Sequence, residues 1–166
     1  MEKRYYTQME AAGNGIVTPE LEIVAAKENR SVKELLPLLA SGKMVIPANI
    51  HHSALSPNGI GRMLKTKINV NLGVSRDCKD YDLEMEKVMR AVSLGAESIM
   101  DLSSHGDTEP FRKKLCEECP AIIGTVPIYD SVIHYKRDLG TLSAKDFIDV
   151  IRLHAENGAD FVTLHC

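Results

Sequence analysis

Residues 81–104 read YDLEMEKVMRAVSLGAESIMDLSS, and this stretch decides the fold. The apolar residues of its first part share one face of a predicted helix, at the i, i+4, i+7 spacing: Tyr81, Met85, Val88, Met89 and Val92. A glycine ends that helix, and the short apolar run SIMDLSS follows as a predicted strand. A helix that runs directly into a buried strand is the repeating half of a β/α unit.

The same pattern continues on both sides of this stretch. KINVNLG at 67–73 predicts the strand before it, and AIIGTVPIYD at 121–130 contains the strand after it. EPFRKKLCEEC at 109–119 and SAKDFIDVIRLHAENG at 143–158 predict two further helices, and DFVTLHC at 160–166 predicts a fourth strand. Such alternation is typical of right-handed βαβ units in a parallel sheet.

The fold that we predict is α/β, the N-terminal half of a (β/α)8 TIM barrel with about four parallel strands and three helices. A full barrel takes about 250 residues and eight strands. We expect the last strand, 161–164, to be buried on both faces because its residues are branched or aromatic. The first and fourth strands would be open edges, so we expect the 166-residue chain to fold poorly by itself.

A helical segment precedes the predicted sheet. We divide the chain into an N-terminal helical segment, 1–45, and the first half of a barrel, 46–166, truncated at its fourth strand. Thr18 is a predicted N-cap with proline at the first helical position, and Ser31 opens a predicted capping box. Pro37 falls inside the second of these helices and should kink or shorten it.

Composition excludes several classes of protein. The chain has 20 basic and 23 acidic residues, a net charge of −3 and no tryptophan, and no basic stripe that would favour nucleic acid. The N-terminus lacks the apolar run of a signal peptide, and no stretch of 18 apolar residues predicts a membrane span. We therefore predict a cytoplasmic protein that does not bind membranes.

The four cysteines do not predict a metal site. CEEC at 116–119 supplies at most two ligands, whereas a structural zinc site takes four. We interpret both thiols as reduced groups at the end of a helix. His51 and His52 would point in opposite directions on an extended loop and make a poor metal pair.

Polar and aromatic residues stand where the predicted strands end. Asn71, Met100 and Tyr129 are separated by 29 residues at each step (71 to 100, 100 to 129), and His165 ends the fourth strand. Taken singly, each has an ordinary explanation as a turn amide, a core filler, a cover for the barrel end or a core histidine. Together they suit a small, polar, planar ligand, because the carboxyl ends of parallel strands meet at one edge.

Several strings, in order along the chain, resemble the thiamine-pyrimidine synthase family, ThiC: YTQMEAA, GIVTPELEIVA, VIPANI, NVNLG, IMDLSS, IGTVPIYD and DFVTLH. The resemblance implies a radical S-adenosylmethionine carbon–carbon lyase with a (β/α)8 barrel. Such an enzyme rearranges 5-aminoimidazole ribonucleotide to 4-amino-5-hydroxymethyl-2-methylpyrimidine phosphate, using a [4Fe–4S] cluster.

Residue by residue, the resemblance implies that Asn71, Met100, Tyr129 and His165 contact the substrate. It implies Zn²⁺, an external reductant and a homodimer for the full-length enzyme. The family's cluster motif, Cys-x2-Cys-x4-Cys, and its zinc histidines lie beyond the part that matches this chain. We therefore expect the 166-residue chain alone to be inactive.

Two departures from the family pattern leave the product open. DLSSHG and PIYDS stand where ThiC proteins usually have DLSTG and PIYQA, and these changes resemble a paralogue that makes 5-hydroxybenzimidazole, a cobamide precursor. His105 and Asp130 lie in the two departures and are candidates for steering the product. A non-catalytic, ligand-binding half-barrel is a second alternative, and an unrelated phosphate-binding barrel enzyme is a third.

Overall fold

The structure, a computed structural model, describes residues 5–165, and the chain forms two compact units. The first unit extends to Ala48 and includes Ser56–Lys67. The second consists of Asn49–Leu55 and the chain from Ile68 onward. The boundary between residues 45 and 46 stays a prediction. No helix within residues 5–165 is long and apolar enough to cross a membrane.

The first unit is mostly helical. Its elements, in chain order, are the helices α1 (Gln8–Gly13), α2 (Pro19–Glu28) and α3 (Val32–Ala40) and the strands β1 (Met44–Val45) and β2 (Ile60–Gly61), which pair antiparallel. The predicted caps are confirmed: the Thr18 hydroxyl accepts from Leu21 N, and Ser31 forms a capping box. Helix α3 ends three residues after Pro37.

A buried ion pair joins α2 to the last residues of the first unit. Lys67 Nζ lies 2.6 Å from Glu28 Oε1, and both side chains are buried. Burial tends to raise the pKa of Glu28, but hydrogen bonds from Lys65 N and Lys67 outweigh burial and lower that pKa. Glu28 is therefore a charged acceptor that fixes residues 65–67 against the end of the helix.

The second unit contains the predicted parallel sheet. Its strands, in spatial and chain order, are β3 (Asn69–Leu72), β4 (Ser98–Asp101), β5 (Ile122–Thr125) and β6 (Phe161–Val162). The crossover helices are α4 (Tyr81–Ser93), α5 (Glu109–Glu118), α6 (Pro127–Tyr135) and α7 (Ala144–Glu156). Four parallel strands in succession are confirmed, whereas closure as half of a barrel stays a prediction.

Three expectations about these elements are wrong. The connection from β5 to β6 carries two helices instead of one, because Pro127 sits at the first position of α6, where its fixed φ favours a helix. The last strand has two paired residues and is only half-buried, since it has a neighbour on one side within the described sheet. Met89 of α4 is 42% exposed, although Met85 and Val88 are buried as expected.

Glycine at position 73 allows β3 and β4 to end side by side. Its φ is +147°, and a Cβ there would lie 2.5 Å from Ser103 N and 2.8 Å from the Leu102 carbonyl carbon. Leu102 N also donates to Leu72 O at this point. The two chains leave the sheet at backbone contact distance, which a side chain would prevent.

We predict that Gly73→Ala lowers the free energy of unfolding by about 2–4 kcal/mol, because it combines a strained φ with overpacking against backbone. The measurement is urea unfolding of the protein that carries this chain. Gly95→Ala is the matched control, since Gly95 has a φ of +100° with no atom within 4 Å of the place that a Cβ would take, so only the strain remains. Equal losses in the two variants would contradict the close approach at Gly73.

Within the second unit, His52 fixes the segment Asn49–Leu55 to the rest of the unit. The His52 ring is buried, with Nδ1 2.7 Å from Asp160 Oδ2 and Nε2 2.7 Å from the carbonyl oxygen of Cys119. The Asp160 carboxylate and the Cys119 carbonyl group accept hydrogen bonds, so this geometry favours the protonated ring, in which both nitrogens donate. Burial tends to lower the pKa of His52, but the hydrogen bond and charge of Asp160 outweigh burial and raise that pKa.

We predict that the stabilisation from His52 is complete below pH 6.5, its ordinary pKa, and is lost as the pH rises through its higher folded pKa. His52→Asn should remove this part of the pH dependence, whereas His51→Asn, at an exposed neighbour, should retain it. The measurement is urea unfolding from pH 6 upward. Parallel pH profiles for the wild type and His52→Asn would show that His52 is neutral in the folded protein.

Candidate functional site

One row of residues crosses the face of the sheet opposite the helix-packed side chains of Val70 and Leu72. Asn71 pairs with Met100, Met100 with Gly124, and Gly124 with Phe161. The step of 29 residues from Asn71 to Met100 therefore corresponds to the register in which β3 pairs with β4. The third residue of that spacing, Tyr129, is not at the equivalent position of its strand, because β5 ends at Thr125 and Tyr129 lies in α6.

Glycine at position 124 leaves room for an aromatic ring in that row. A Cβ on Gly124 would lie 2.2 Å from Cζ of Phe161, so the ring covers the position where a side chain would stand. The row therefore changes from amide and thioether on β3 and β4 to a phenyl group on β6. No signal in the local sequence predicts that the Phe161 side chain of β6 fills the space beside Gly124 of β5.

Tyr129 and His165 lie together beyond the ends of β5 and β6. Their ring centroids are 5.9 Å apart with planes tilted by 42°. Both line a cavity of about 400 Å³, whose other lining residues are Ser104, Ile128, Val132 and Leu139. The cavity has aliphatic walls and two aromatic rings, a combination that suits a small planar ligand.

Asn71 is exposed, and its amide belongs to a short chain of hydrogen bonds. Asn69 Nδ2 donates to Asn71 Oδ1 at 2.9 Å, and Ser98 Oγ donates to Asn69 Oδ1 at 2.9 Å. Met100 is half-buried beside Asn71. The structure thus brings the four predicted residues to one edge as two pairs, Asn71 with Met100 and Tyr129 with His165.

His105 and Asp130 line a second cavity, of about 710 Å³, that shares Ser104 and Val132 with the first. His105 is half-buried in the loop after β4. Asp130 is buried in the first turn of α6, directly after Tyr129. The two residues proposed to steer the product therefore line a cavity that adjoins the one lined by Tyr129 and His165.

The Asp130 carboxylate connects three helices. Its Oδ1 accepts from Thr108 Oγ1 at 2.6 Å, just before α5, and its Oδ2 accepts from Arg112 Nη2 at 3.3 Å and from His154 Nε2 at 3.0 Å. Burial tends to raise the pKa of Asp130, but the hydrogen bonds from His154 and Thr108 and the charge of Arg112 outweigh burial and lower that pKa to about 2. Asp130 is a permanent anion and not a proton donor near neutral pH.

His154 is the neutral member of this network. Its Nε2 donates to Asp130, and its Nδ1 accepts from Thr125 Oγ1 at 2.9 Å. Burial, helped by the charge of Arg112, lowers the pKa of His154 below its ordinary value of 6.5. The sequence places His154 on the apolar face of α7 but gives no sign of its partners, which come from two other elements.

Arg112 is the residue that sequence reasoning misses most completely. Its side chain is 1% exposed, and Nε donates to Asn157 Oδ1 at 3.3 Å. In the sequence it opens the run RKK, which is typical of a solvated helix face. The only signal available is its position one residue after Phe111, at the edge of the apolar stripe of α5.

The turn after β4 is held by Asp101 and Ser103. Asp101 Oδ1 accepts from Ser103 N at 2.9 Å, and Ser103 Oγ accepts from Val74 N at 3.2 Å. Burial raises the pKa of Asp101, although the hydrogen bonds from Ser103 oppose this. These bonds connect the ends of β3 and β4 and so position the loop that carries Ser104 and His105.

The two thiols of the CEEC motif are poor ligands for a metal or an iron–sulfur cluster. Cys116 and Cys119 are buried at the end of α5, as the interpretation of helix-end thiols predicts. Burial raises the pKa of Cys116 to about 12 and also raises that of Cys119, which disfavours the thiolate that a metal requires. Within residues 5–165 no group of three or more His, Cys, Asp or Glu side chains could hold a metal ion.

The fold and site define a parallel β/α protein whose candidate ligand-binding side chains gather at the carboxyl edge of its sheet. The chain belongs to the radical SAM ThiC family, whose model matches residues 7–166. It is 57% identical over 161 residues to the phosphomethylpyrimidine synthase of Clostridium botulinum (strain Hall), and 53% identical over 162 residues to that of Clostridium novyi (strain NT).

The alignments cover 97% and 98% of this chain but 37% of each relative. The chain therefore spans little more than a third of the length of the curated relatives that it matches. A radical SAM family implies S-adenosylmethionine and an iron–sulfur cluster in the full-length enzyme, whereas the described residues do not fit a cluster.

We predict that Asp130→Asn lowers the free energy of unfolding by about 3–5 kcal/mol, because it leaves the buried Arg112 without a counter-ion. Asp149→Asn, which breaks a surface pair with Lys145, should cost less than about 1 kcal/mol. The stabilisation from Asp130 should be present above its ordinary pKa of 3.8 and be lost as the pH falls through about 2. Urea unfolding of both variants tests this, and equal losses would contradict it.

Proposed function

We propose that this chain is the substrate-binding part of a ThiC-type enzyme, a phosphomethylpyrimidine synthase. The enzyme would convert 5-aminoimidazole ribonucleotide to 4-amino-5-hydroxymethyl-2-methylpyrimidine phosphate. The observation that carries the proposal is the cavity lined by Tyr129 and His165. Asn71 and Met100 are register partners on β3 and β4 of the same sheet. The names of the relatives support the same reaction.

Each of the four residues would have a distinct role in binding the ribonucleotide. Asn71 and His165 would form hydrogen bonds to it, and Tyr129 would supply a hydroxyl group and a flat face. Met100 would line the apolar side, where its flexible thioether adapts to the ligand. Together these side chains would orient the substrate and exclude water from it.

The remaining parts of the proposed enzyme lie outside the described residues. A [4Fe–4S] cluster and Zn²⁺ would be bound by other residues of the full-length protein, because residues 5–165 offer no group of three or more His, Cys, Asp or Glu side chains for a metal ion. The enzyme would also use S-adenosylmethionine. We further propose that the enzyme is a cytoplasmic homodimer that uses an external reductant. The role of this chain would be to bind and orient the substrate.

The alternative product is 5-hydroxybenzimidazole, and His105 and Asp130 are the residues that would steer the reaction toward it. His105 and Asp130 line the cavity that adjoins the one with Tyr129. The Asp130 carboxylate accepts hydrogen bonds from Thr108, Arg112 and His154. It would therefore influence which product forms by fixing the first turn of α6. Direct contact with the substrate is left to His105.

The test is anaerobic incubation of the full-length protein with 5-aminoimidazole ribonucleotide, S-adenosylmethionine and a reductant, with mass spectrometry of the product. We expect the pyrimidine phosphate. 5-Hydroxybenzimidazole would establish the paralogue's reaction instead, and ribonucleotide binding without turnover would favour a non-catalytic binding module. We expect no turnover from the 166-residue chain alone.

The contribution of the cavity is tested with a pair of tyrosine variants on α6. Tyr129→Ala should weaken ribonucleotide binding about three- to tenfold, because it removes an aromatic contact. Tyr135→Ala, at the other end of the same helix, should leave the dissociation constant unchanged. Equal effects of the two variants on binding would argue against substrate at Tyr129.

A further inference from the structure

The orientation of the Asn71 amide is set inside the protein, before any ligand arrives. Asn69 and Asn71 are two residues apart on β3, so their side chains lie on the same face of the sheet. Asn69 Nδ2 donates to Asn71 Oδ1 at 2.9 Å. One hydrogen bond therefore already fixes Asn71 Oδ1 toward Asn69, while its Nδ2 group donates to none of the residues that the structure describes.

The next link in this chain is a buried serine on the neighbouring strand. Ser98 is the register partner of Asn69 and is 4% exposed. Its hydroxyl group donates to Asn69 Oδ1 at 2.9 Å, and the Asn69 Nδ2 group faces Asn71. A buried hydroxyl group on a paired strand is a fixed anchor, whereas Asn69 and Asn71 are both exposed.

The other neighbour of Asn71 cannot compete for its amide. The register partner of Asn71 is Met100, whose thioether has no hydrogen to donate and is a weak acceptor. Asn69 is thus the group that decides which end of the Asn71 amide faces outward. Val70, between the two amides, points to the helix-packed side and plays no part.

We propose that Asn69, anchored by Ser98, is a positioning residue that turns the Asn71 amide so that Nδ2 faces the substrate. This inference rests on the proposed function, in which Asn71 contacts the ribonucleotide. The atom that Asn71 meets is then an acceptor, such as a hydroxyl oxygen, a ring nitrogen or a phosphate oxygen. Asn69 itself does not touch the ligand.

The first test reverses the polarity of the chain with little change in shape. Asn69→Asp offers only acceptor atoms, so Asn71 must rotate, donate its Nδ2 to the new carboxylate and present Oδ1 outward. We expect the dissociation constant of 5-aminoimidazole ribonucleotide to rise at least about tenfold in the full-length protein, since acceptor would face acceptor. Ser98→Ala, which removes only the anchor, should raise the dissociation constant by about two- to fivefold.

The second test involves no change of charge. In a double-mutant cycle, Asn69→Ala should weaken binding about three- to tenfold in the wild type and have no further effect in an Asn71→Ala background. A merely structural role for Asn69 would give the same loss in both backgrounds. The thermal midpoints of all variants are measured in parallel, to confirm that each one is folded.

The outcomes separate this inference from the proposed function. A wild-type protein that does not bind the ribonucleotide overturns the proposed function and this inference with it. A wild type that binds, together with an Asn69→Asp variant that binds equally well, overturns only the inferred polarity. Additive losses in the alanine cycle overturn the action of Asn69 through Asn71.

Discussion

The candidate site depends on the hydrogen bonds that the Asp130 carboxylate accepts. Three donors from α5, α7 and the loop before α5 converge on it, so one buried anion fixes the first turn of α6. Tyr129 is the preceding residue, and its position opposite His165 follows from that turn. Because the donors include a buried arginine, the network needs a permanent negative charge, and the lowered pKa of Asp130 provides it.

The edge of the sheet is shaped by glycines as much as by ligand-type side chains. Gly73 lets β3 and β4 end at backbone contact distance, and Gly124 leaves space that the Phe161 ring occupies. The first contact brings the ends of the two strands together, and the second places an aromatic ring in the row that contains Asn71 and Met100. Two buried histidines in the same unit have pKa values shifted in opposite directions. The hydrogen bond and charge of Asp160 raise the pKa of His52 despite its burial, whereas burial lowers the pKa of His154.

The chain belongs to the radical SAM ThiC family, and its described residues provide only some of the groups that the chemistry of that family needs. The described residues offer a cavity, an oriented amide and aromatic rings, which are means of binding and orientation. They offer no set of ligands for a cluster, and their buried thiols are held protonated.

The sequence by itself determined the order of the strands and the helix caps at Thr18 and Ser31, because these depend on short-range periodicity and local hydrogen bonds. The 29-residue step from Asn71 to Met100 also matched the register of β3 with β4. Only the tertiary structure decided that α6 begins at Pro127 and carries Tyr129, and that buried charges satisfy each other. Arg112 and Asp130 are 18 residues apart, and His52 and Asp160 are 108 apart. No local sequence pattern predicts such partners. A charged side chain is expected to be exposed to solvent unless the fold places a group of opposite charge or a hydrogen-bond partner beside it.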